Sequence, residues 1–319
     1  MDEQELQERF REPTGWRWGA MENGRGQTLR YGSSVPAEKP SAHILYVEGA
    51  SECVEKTFEL SRDFNRASCA FWALDRAGLG MSERFLSNRF KQHSEGFGYD
   101  SADIIKFAKK VIPDDDAPIV LLGHSTGGLI ALMAAHDAPD VFSGVSVTAP
   151  LLGLKRPPII RDREHIFAKL PLPSFMRKWF IPGGQEWMPR NERRGEMCNE
   201  DYSGDPQRAP IHDNWPQHNE RLRVGAVTIG WVIEASKAMV QARDPAWLNE
   251  IDLPVRIFIA EKDKLINNSY TIEAVPHFKN ATRTDFSDGR HDLLMERDSI
   301  RDVIIADTVA LAKNAVRPR

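Results

Sequence analysis

Residue types that together support nucleophilic catalysis occur in this chain in the order serine, aspartate, histidine. Ser125 lies in a Gly-x-Ser-x-Gly segment at residues 123–127, Asp263 follows an apolar run, and His291 lies in a glycine-containing loop. A serine hydroxyl is a weak nucleophile at neutral pH, so it needs a neighbouring base, and the base needs a group that fixes its tautomer. The three residues therefore predict a triad.

The serine lies where a strand is predicted to turn sharply into a helix. Four apolar residues, 119–122, precede the Gly-x-Ser-x-Gly segment, and residues 129–136 are rich in the helix formers Ala, Leu and Met. Gly123 and Gly127 allow the close backbone approach that such a turn requires. Ser125 would then lie at a helix N-terminus, where free N–H groups favour developing negative charge.

Among the histidines, His291 is the candidate for the base. It follows a predicted last strand, from which its side chain can reach the carboxyl edge of the sheet. His277 lies near a predicted helix end and fits a surface role. His124 adjoins the nucleophile, but neighbouring residues at such a turn point in different directions, so we expect it to pack or to line the substrate site.

Asp263 is the candidate for the acid because it lies just beyond the predicted strand at 255–260. Glu261 is its nearest rival. The remaining acids near these strands are interpreted as wrong-edge or loop charges: Asp252, Asp288 and Asp292.

A tetrahedral oxyanion needs two N–H donors. The first is predicted to be Thr126, directly after the nucleophile, and the second Ala50, in the loop after the strand ending at Val47. Gly49 lets the backbone approach the oxyanion there.

The order of elements predicts an α/β fold. Over residues 43–150, buried strands alternate with helices, which indicates a parallel sheet with crossover helices. Residues 153–249 contain many prolines and large aromatics and no strand pattern, and they are too long for a structureless loop. The α/β alternation then resumes. We therefore predict a core formed by residues 1–152 and 250–319, with a mainly helical insertion at 153–249.

Composition excludes several classes of protein. The 319 residues carry a net charge of -4 and are 41% hydrophobic, so no metal or disulfide scaffold is required and nucleic acid is not expected as a partner. Three separated cysteines and a charged start without an apolar run indicate a cytoplasmic protein. No metal or cofactor is expected, because the loop at 78–80 lacks the third glycine of a dinucleotide site and no Cys/His cluster has zinc spacing.

Five segments carry a resemblance to a known family. They are Gly-His-Ser-Thr-Gly-Gly at 123–128, Asp-Arg-Ala-Gly-Leu-Gly-Met-Ser at 75–82, Thr-Ala-Pro-Leu-Leu-Gly at 148–153, Ala-Glu-Lys-Asp at 260–263 and Gly-Arg-His-Asp-Leu-Leu-Met-Glu at 289–296. With them, the chain from about residue 40 onward resembles the α/β-hydrolase family, in particular its lysophospholipase and monoacylglycerol lipase branch. The last two segments are the family's acid and histidine segments, and they fall on Asp263 and His291.

The resemblance implies the α/β-hydrolase fold, a mostly parallel central sheet flanked by helices. It also implies that residues 153–249 form a helical cap over the active site and carry the acyl-binding pocket. Trp231, Glu48 and His124 are then the candidates for contact with substrate.

The chain departs from the family's pattern at two places. Glu48 precedes Gly49 where a histidine is usual, and Ala77 precedes Gly78 where an arginine is usual. A carboxylate aimed at a developing oxyanion would oppose it, so we expect Glu48 to point away or to be paired. Arg76 lies one place too early to match the usual arginine.

We therefore expect a serine hydrolase that cleaves carboxylic esters of acyl chains, such as a lysophospholipid or a monoacylglycerol, through an acyl-enzyme intermediate. Two alternatives stay open. One is another acyl substrate (a lactone, amide or peptide) or acyl transfer to an alcohol, and the other is a non-catalytic binding protein on the same fold. The basic start of the cap, residues 155–178, fits a solvated helix face, which we favour, or contact with phospholipid head groups.

Overall fold

The computed structural model describes residues 6–155, 164–169, 171–193 and 197–315. Within these residues eight strands form a single sheet. The strands are β1 (Arg17–Glu22), β2 (Thr28–Ser34), β3 (Ala42–Val47), β4 (Cys69–Leu74), β5 (Ile119–His124), β6 (Gly144–Thr148), β7 (Val255–Ala260) and β8 (Ala281–Phe286).

The sheet has the strand order β1-β2-β4-β3-β5-β6-β7-β8. The hairpin β1–β2 joins β4 in antiparallel pairing, and all later neighbours pair in parallel, which confirms the predicted mostly parallel sheet. Val47 lies beside Gly123, and His124 lies beside Thr148. The carboxyl ends of β3, β5 and β6 therefore meet at one edge, where parallel sheets place their functional loops.

Helices flank the sheet on both faces. The α-helices in the described residues are α1 (Phe58–Arg66), α2 (Phe97–Lys110), α3 (Thr126–Asp137), α4 (Glu164–Ala168), α5 (Ser174–Arg177), α6 (Asn199–Tyr202), α7 (Ile211–His218), α8 (Ile229–Gln241), α9 (Pro245–Asn249), α10 (Asn268–Ala274) and α11 (Asp298–Asn314). Short 3₁₀ helices lie at Glu8–Phe10, Val54–Thr57, Arg190–Glu192, Glu220–Leu222, Val275–His277 and Leu293–Met295. None of the described helices is both long and apolar enough to cross a membrane.

The core has two layers, one on each side of the sheet. Successive side chains of a strand point to opposite faces. On β5, Leu121 therefore packs with α2 and α3, while Val120 and Leu122 pack with α1 and α11. Because both faces are covered, the central strands are apolar throughout and lack the polar–apolar alternation of a half-exposed strand.

The segment between β6 and β7 is built from the short helices α4 to α9 and contains no strand in its described residues. The sequence predicts the last helix of this segment from Val224 to Ala242, preceded or interrupted by Gly225 and Gly230, but the structure begins α8 at Ile229 and places the short α9 after it. The Thr228 side chain accepts the backbone N–H of Trp231 and caps α8 there. Several residues counted in the predicted cap lie outside the described residues: Arg156, Pro157, Pro158, Arg161 and Arg163.

Candidate active site

Ser125 occupies a tight turn between β5 and α3. Its backbone has φ 53° and ψ -117°, a left-handed conformation that non-glycine residues rarely adopt. The turn brings backbone segments so close that a Cβ on Gly127 would lie 2.0 Å from the Val47 carbonyl oxygen. A Cβ on Gly123 would lie 2.5 Å from the Gly127 carbonyl oxygen. The two glycines are therefore required by the close approach of neighbouring backbone.

The structure brings Ser125, His291 and Asp263 together from three separate loops. The Ser125 Oγ lies 3.0 Å from His291 Nε2, and His291 Nδ1 lies 2.7 Å from Asp263 Oδ2. A carboxylate can only accept at this position, so Nδ1 carries the proton and Nε2 accepts the serine hydroxyl. This is the tautomer that a general base needs.

Asp263 is fully buried at the end of β7. Burial by itself raises the pKa of the Asp263 carboxyl, but the adjacent His291 and two backbone N–H groups hold that pKa below its ordinary value. These N–H groups belong to Leu265 and Ile266, which donate to Oδ1 over 2.7 Å and 2.9 Å. Asp263 is therefore anionic and fixed in orientation. Its predicted rival Glu261 is exposed to solvent.

The two predicted oxyanion donors, Thr126 and Ala50, belong to separate segments of the chain. Thr126 is the first residue of α3, and the first N–H groups of a helix have no acceptor within it. Ala50 lines the same cavity as Ser125. Its loop is fixed by Glu52, whose carboxylate accepts the Gly49 N–H over 2.7 Å.

Glu48 is buried and turned toward the loop that follows β4. Its Oε1 accepts the Arg76 backbone N–H over 2.8 Å, while the Arg76 guanidinium donates to the carbonyl oxygens of Glu48 and Gly49 over 3.1 Å each. Burial, followed by the charge of Asp75, raises the pKa of Glu48 well above its usual range. The structure therefore does not bring Glu48 to the cavity, and the Arg76 guanidinium fixes the backbone just before Ala50.

A buried ionic cluster of Lys56, Glu52 and Asp292 lies beside His124. Lys56 donates to both Glu52 and Asp292, and the His124 Nε2 lies 3.9 Å from a carboxylate oxygen of each. The interpretation of Asp292 as a loop charge is wrong, because its side chain is buried against Lys56. Burial lowers the pKa of His124 to about 4, so its ring is neutral at pH 7.

Glu52, His124 and Asp292 offer ligand atoms within 4.8 Å of one another, a spacing that a metal ion could use. The Lys56 ammonium, however, already bridges the two carboxylates. It supplies the positive charge that an ion would bring, so the cluster does not fit a metal centre.

A cavity of about 110 Å³ opens onto Ser125. It is lined by Ala50, Ser51, Glu52, His124, Ser125, Arg190, Arg193, Tyr202, His212, Leu265, His291 and Asp292. The structure brings the predicted His124 to this cavity but not Trp231, which is buried with its ring centre 5.6 Å from that of Phe97. The insertion contributes four cavity residues that the sequence analysis missed: Arg190, Arg193, Tyr202 and His212. A single polar or charged residue in a segment of mostly short helices carries no local signal of burial.

The eight-stranded, mostly parallel sheet with a serine at a strand–turn–helix elbow defines an α/β-hydrolase fold. The family model described as serine aminopeptidase, S33 (Hydrolase_4) matches residues 38–298. The chain therefore belongs to this family.

Named relatives narrow the class of activity. A probable lysophospholipase L2 from Haemophilus influenzae is 25% identical over 259 residues, which cover 81% of this chain and 79% of that protein. A monoglyceride lipase from Rattus norvegicus is 32% identical over 150 residues, 46% of this chain and 47% of that protein. A monoglyceride lipase of Saccharomyces cerevisiae, crystallised as a soluble variant with a substrate analogue, shares the fold with a TM-score of 0.72 at 14% identity, covering 94% of this chain and 96% of that one. The family and the two relatives found by sequence identify the chain as an ester hydrolase, while the yeast structure shows the shared fold.

Proposed function

We propose that Ser125, His291 and Asp263 form the catalytic triad of a serine hydrolase that cleaves an acyl ester. The observation that carries this proposal is the pair of hydrogen bonds that His291 makes, one to the Ser125 hydroxyl and one to the buried Asp263 carboxylate. A serine at a strained elbow, with its base already oriented, fits nucleophilic catalysis better than a structural role.

The reaction proceeds through two tetrahedral intermediates. Ser125 Oγ attacks the ester carbonyl carbon while His291 Nε2 takes the hydroxyl proton. The oxyanion is held by the N–H groups of Thr126 and Ala50. His291 then protonates the departing alcohol, and the acyl group remains on Ser125. Water, activated by the same nitrogen, releases the acid and restores the free serine.

The substrate is proposed to be a lysophospholipid, a monoacylglycerol or a similar ester, with residues 153–249 acting as the cap over the site. The cavity of about 110 Å³ is smaller than the roughly 300 Å³ at which pockets enclose most of a drug-sized ligand. It therefore fits the reacting ester and its alcohol, and a long acyl chain would extend beyond it.

Peptide or amide cleavage is the second candidate, because the family description names an aminopeptidase. An aminopeptidase needs a free carboxylate to bind the substrate ammonium. Here the acids that line the cavity, Glu52 and Asp292, both bind Lys56 instead. This favours the ester.

The experiment is hydrolysis of a p-nitrophenyl ester series, from short to long acyl, by the wild type and by Ser125→Ala, with amino-acid p-nitroanilides in parallel. We expect ester turnover that Ser125→Ala abolishes, with a chain-length optimum that sizes the acyl site. Turnover of the anilides alone would favour the aminopeptidase. Turnover that survives in Ser125→Ala would rule out the proposed mechanism, and no turnover at all would favour a binding protein.

We further propose that the cap contacts a phospholipid surface and that the protein is cytoplasmic. Phe175 is 59% exposed and Trp179 is 50% exposed, and their ring centres lie 5.7 Å apart. Exposed Lys178 lies between them in sequence. Aromatic rings beside a basic residue suit the interface of an anionic membrane.

The cysteines Cys53, Cys69 and Cys198 are unpaired, which fits the reducing compartment of the cytoplasm.

A further inference from the structure

We propose that Arg190 binds a phosphate group of the substrate beside the reacting ester. The proposal rests on ester hydrolysis at Ser125 and specifies the alcohol part of that ester as one that carries a phosphate. Arg190 begins the 3₁₀ helix Arg190–Glu192, and its side chain lines the cavity that contains Ser125.

Within the described residues the Arg190 guanidinium makes no salt bridge, although its charge helps to lower the pKa of the neighbouring Asp213. The side chain is only 7% exposed, and its guanidinium carbon lies 3.6 Å from the centre of the Tyr202 ring. The nearby carboxylate of Asp213 accepts the Arg190 backbone N–H over 2.8 Å and forms no ion pair with the guanidinium. A buried cation without a directly paired anion is costly. A planar, five-donor guanidinium that faces a cavity matches the oxygens of a phosphate.

A second polar group faces the same cavity without a partner. His212 is 6% exposed, and its Nε2 has no hydrogen-bond partner. Burial, followed by the charge of Arg190, lowers the pKa of His212 to about 4, so the ring is neutral. Asp213 Oδ1 lies 3.5 Å from Nδ1 and can only accept, so Nε2 is left as an acceptor. His212 Nε2 is therefore suited to accept a hydrogen bond from a substrate hydroxyl.

Together, the Arg190 guanidinium and His212 Nε2 match an alcohol that carries both a phosphate and a free hydroxyl. The acyl ester of a glycerol phosphate has this combination. A neutral monoacylglycerol would supply the hydroxyl for His212 but leave the buried Arg190 guanidinium without a directly paired anion. Arg193 lines the cavity as well, and the acids that line it, Glu52 and Asp292, share the charge of Lys56. An incoming phosphate therefore meets the Arg190 guanidinium in a site where Lys56 offsets one of the two carboxylate charges.

The test compares three esters with one acyl chain: 1-acylglycerol, 1-acylglycerol 3-phosphate and 1-acylglycerophosphocholine. We expect the wild type to prefer the phosphate esters. Arg190→Gln should lower kcat/KM for them about 10- to 100-fold more than for 1-acylglycerol, the worth of one or two charge-assisted hydrogen bonds. Arg190→Lys should retain part of the preference. The two phosphate esters separate a monoester head group from a diester one.

The matched control is Arg221→Gln, an exposed arginine in the same insertion, which should keep the wild-type preference. Equal loss on all three esters in Arg190→Gln would mean a packing role and overturn the proposal. A wild type that shows no preference for phosphate would overturn it as well.

A binding measurement tests the phosphate site independently of ester hydrolysis. Glycerol 3-phosphate, with glycerol as its neutral control, should raise the unfolding temperature of the wild type and of Ser125→Ala but not of Arg190→Gln. If that shift occurs without ester hydrolysis, the proposed reaction fails while the phosphate site stands. If ester hydrolysis occurs without the shift or the preference, the phosphate site fails.

Discussion

Asp292 follows His291 directly, and its buried carboxylate is bound by Lys56, 236 positions earlier in the chain. The ion pair thus joins the loop that contains His291 to the 3₁₀ helix Val54–Thr57, which follows the loop that contains Ala50. Removing one partner of a buried pair leaves an uncompensated charge.

Lys56→Met should therefore destabilise the fold by about 3–5 kcal/mol, because Glu52 and Asp292 both lose their cation. The matched control is Lys279→Met, which breaks a Lys–Asp pair with Asp252 on the surface and should cost roughly 0–1 kcal/mol. Urea unfolding of both variants measures the difference. Equal losses in the two variants would mean that the buried cluster adds no stability beyond that of a surface pair.

Asp263→Asn should lower kcat about 10³- to 10⁴-fold, because an amide can no longer fix the His291 tautomer or stabilise its imidazolium. Glu261→Gln removes the neighbouring carboxylate, which is exposed, and should keep kcat within roughly twofold. Steady-state hydrolysis of the p-nitrophenyl ester preferred by the wild type gives both values. A large loss in Glu261→Gln with little in Asp263→Asn would reverse the assignment of the acid.

The free energy of unfolding should fall as the pH drops from 6.5 to about 4. His212 has an ordinary pKa of 6.5, which burial lowers to about 4 in the folded protein. Within this window the unfolded chain binds a proton that the folded chain excludes, so stability is complete above 6.5 and lost progressively below it. The loss for one such group is about 3 kcal/mol.

His212→Gln should flatten this dependence of the unfolding free energy on pH, as measured by urea titrations at half-unit steps. His277→Gln, at an exposed position, controls for the removal of a histidine. A wild-type slope in His212→Gln would show that His212 does not contribute to the loss. His124, whose pKa is also lowered to about 4 by burial, should leave a remaining slope in the same window.

Gly127→Ala should cost at least about 2 kcal/mol and most of the activity, because the added Cβ meets the Val47 carbonyl oxygen at 2.0 Å. Gly98→Ala is the control. Gly98 lies in the first turn of α2 with nothing within 4 Å of its Cβ position, and the change should stabilise the protein by up to roughly 1 kcal/mol. Thermal unfolding compares the two, and a Gly127→Ala protein as stable as the wild type would contradict the close approach.

The double variant Phe175→Ser/Trp179→Ser should bind vesicles with anionic lipid at least roughly tenfold more weakly, since two exposed apolar rings are lost. Ile272→Ser removes a 41% exposed apolar side chain from α10 and should bind as the wild type does. Co-sedimentation with vesicles measures the binding. Comparing low with high salt also measures the part of the binding that comes from basic side chains, because salt screens their attraction to anionic lipid. Unchanged binding by the double variant would exclude these rings from a membrane surface.

Much of the fold and the candidate triad is encoded locally. Four apolar residues before Gly-x-Ser-x-Gly, followed by a run of helix formers, predict a buried strand that turns into a helix, so β5, the turn and α3 follow from about twenty adjacent residues. Asp263 follows the apolar strand β7 closely, and His291 follows β8, whose residues are mostly polar and only partly buried. Both side chains lie at the same edge because the carboxyl ends of parallel strands share it.

The sequence by itself therefore determined the sheet, the elbow and the three residues that meet there, because strand periodicity and turn chemistry act over short stretches of chain. Tertiary structure alone decided which charges are buried. Lys56 with Asp292 and Arg190 with Tyr202 have no local pattern, since the partners come from distant segments. It also turned Trp231 toward Phe97 instead of the cavity. Burial of a side chain depends on what packs over it, and in an insertion of short helices that packing is set by the whole fold.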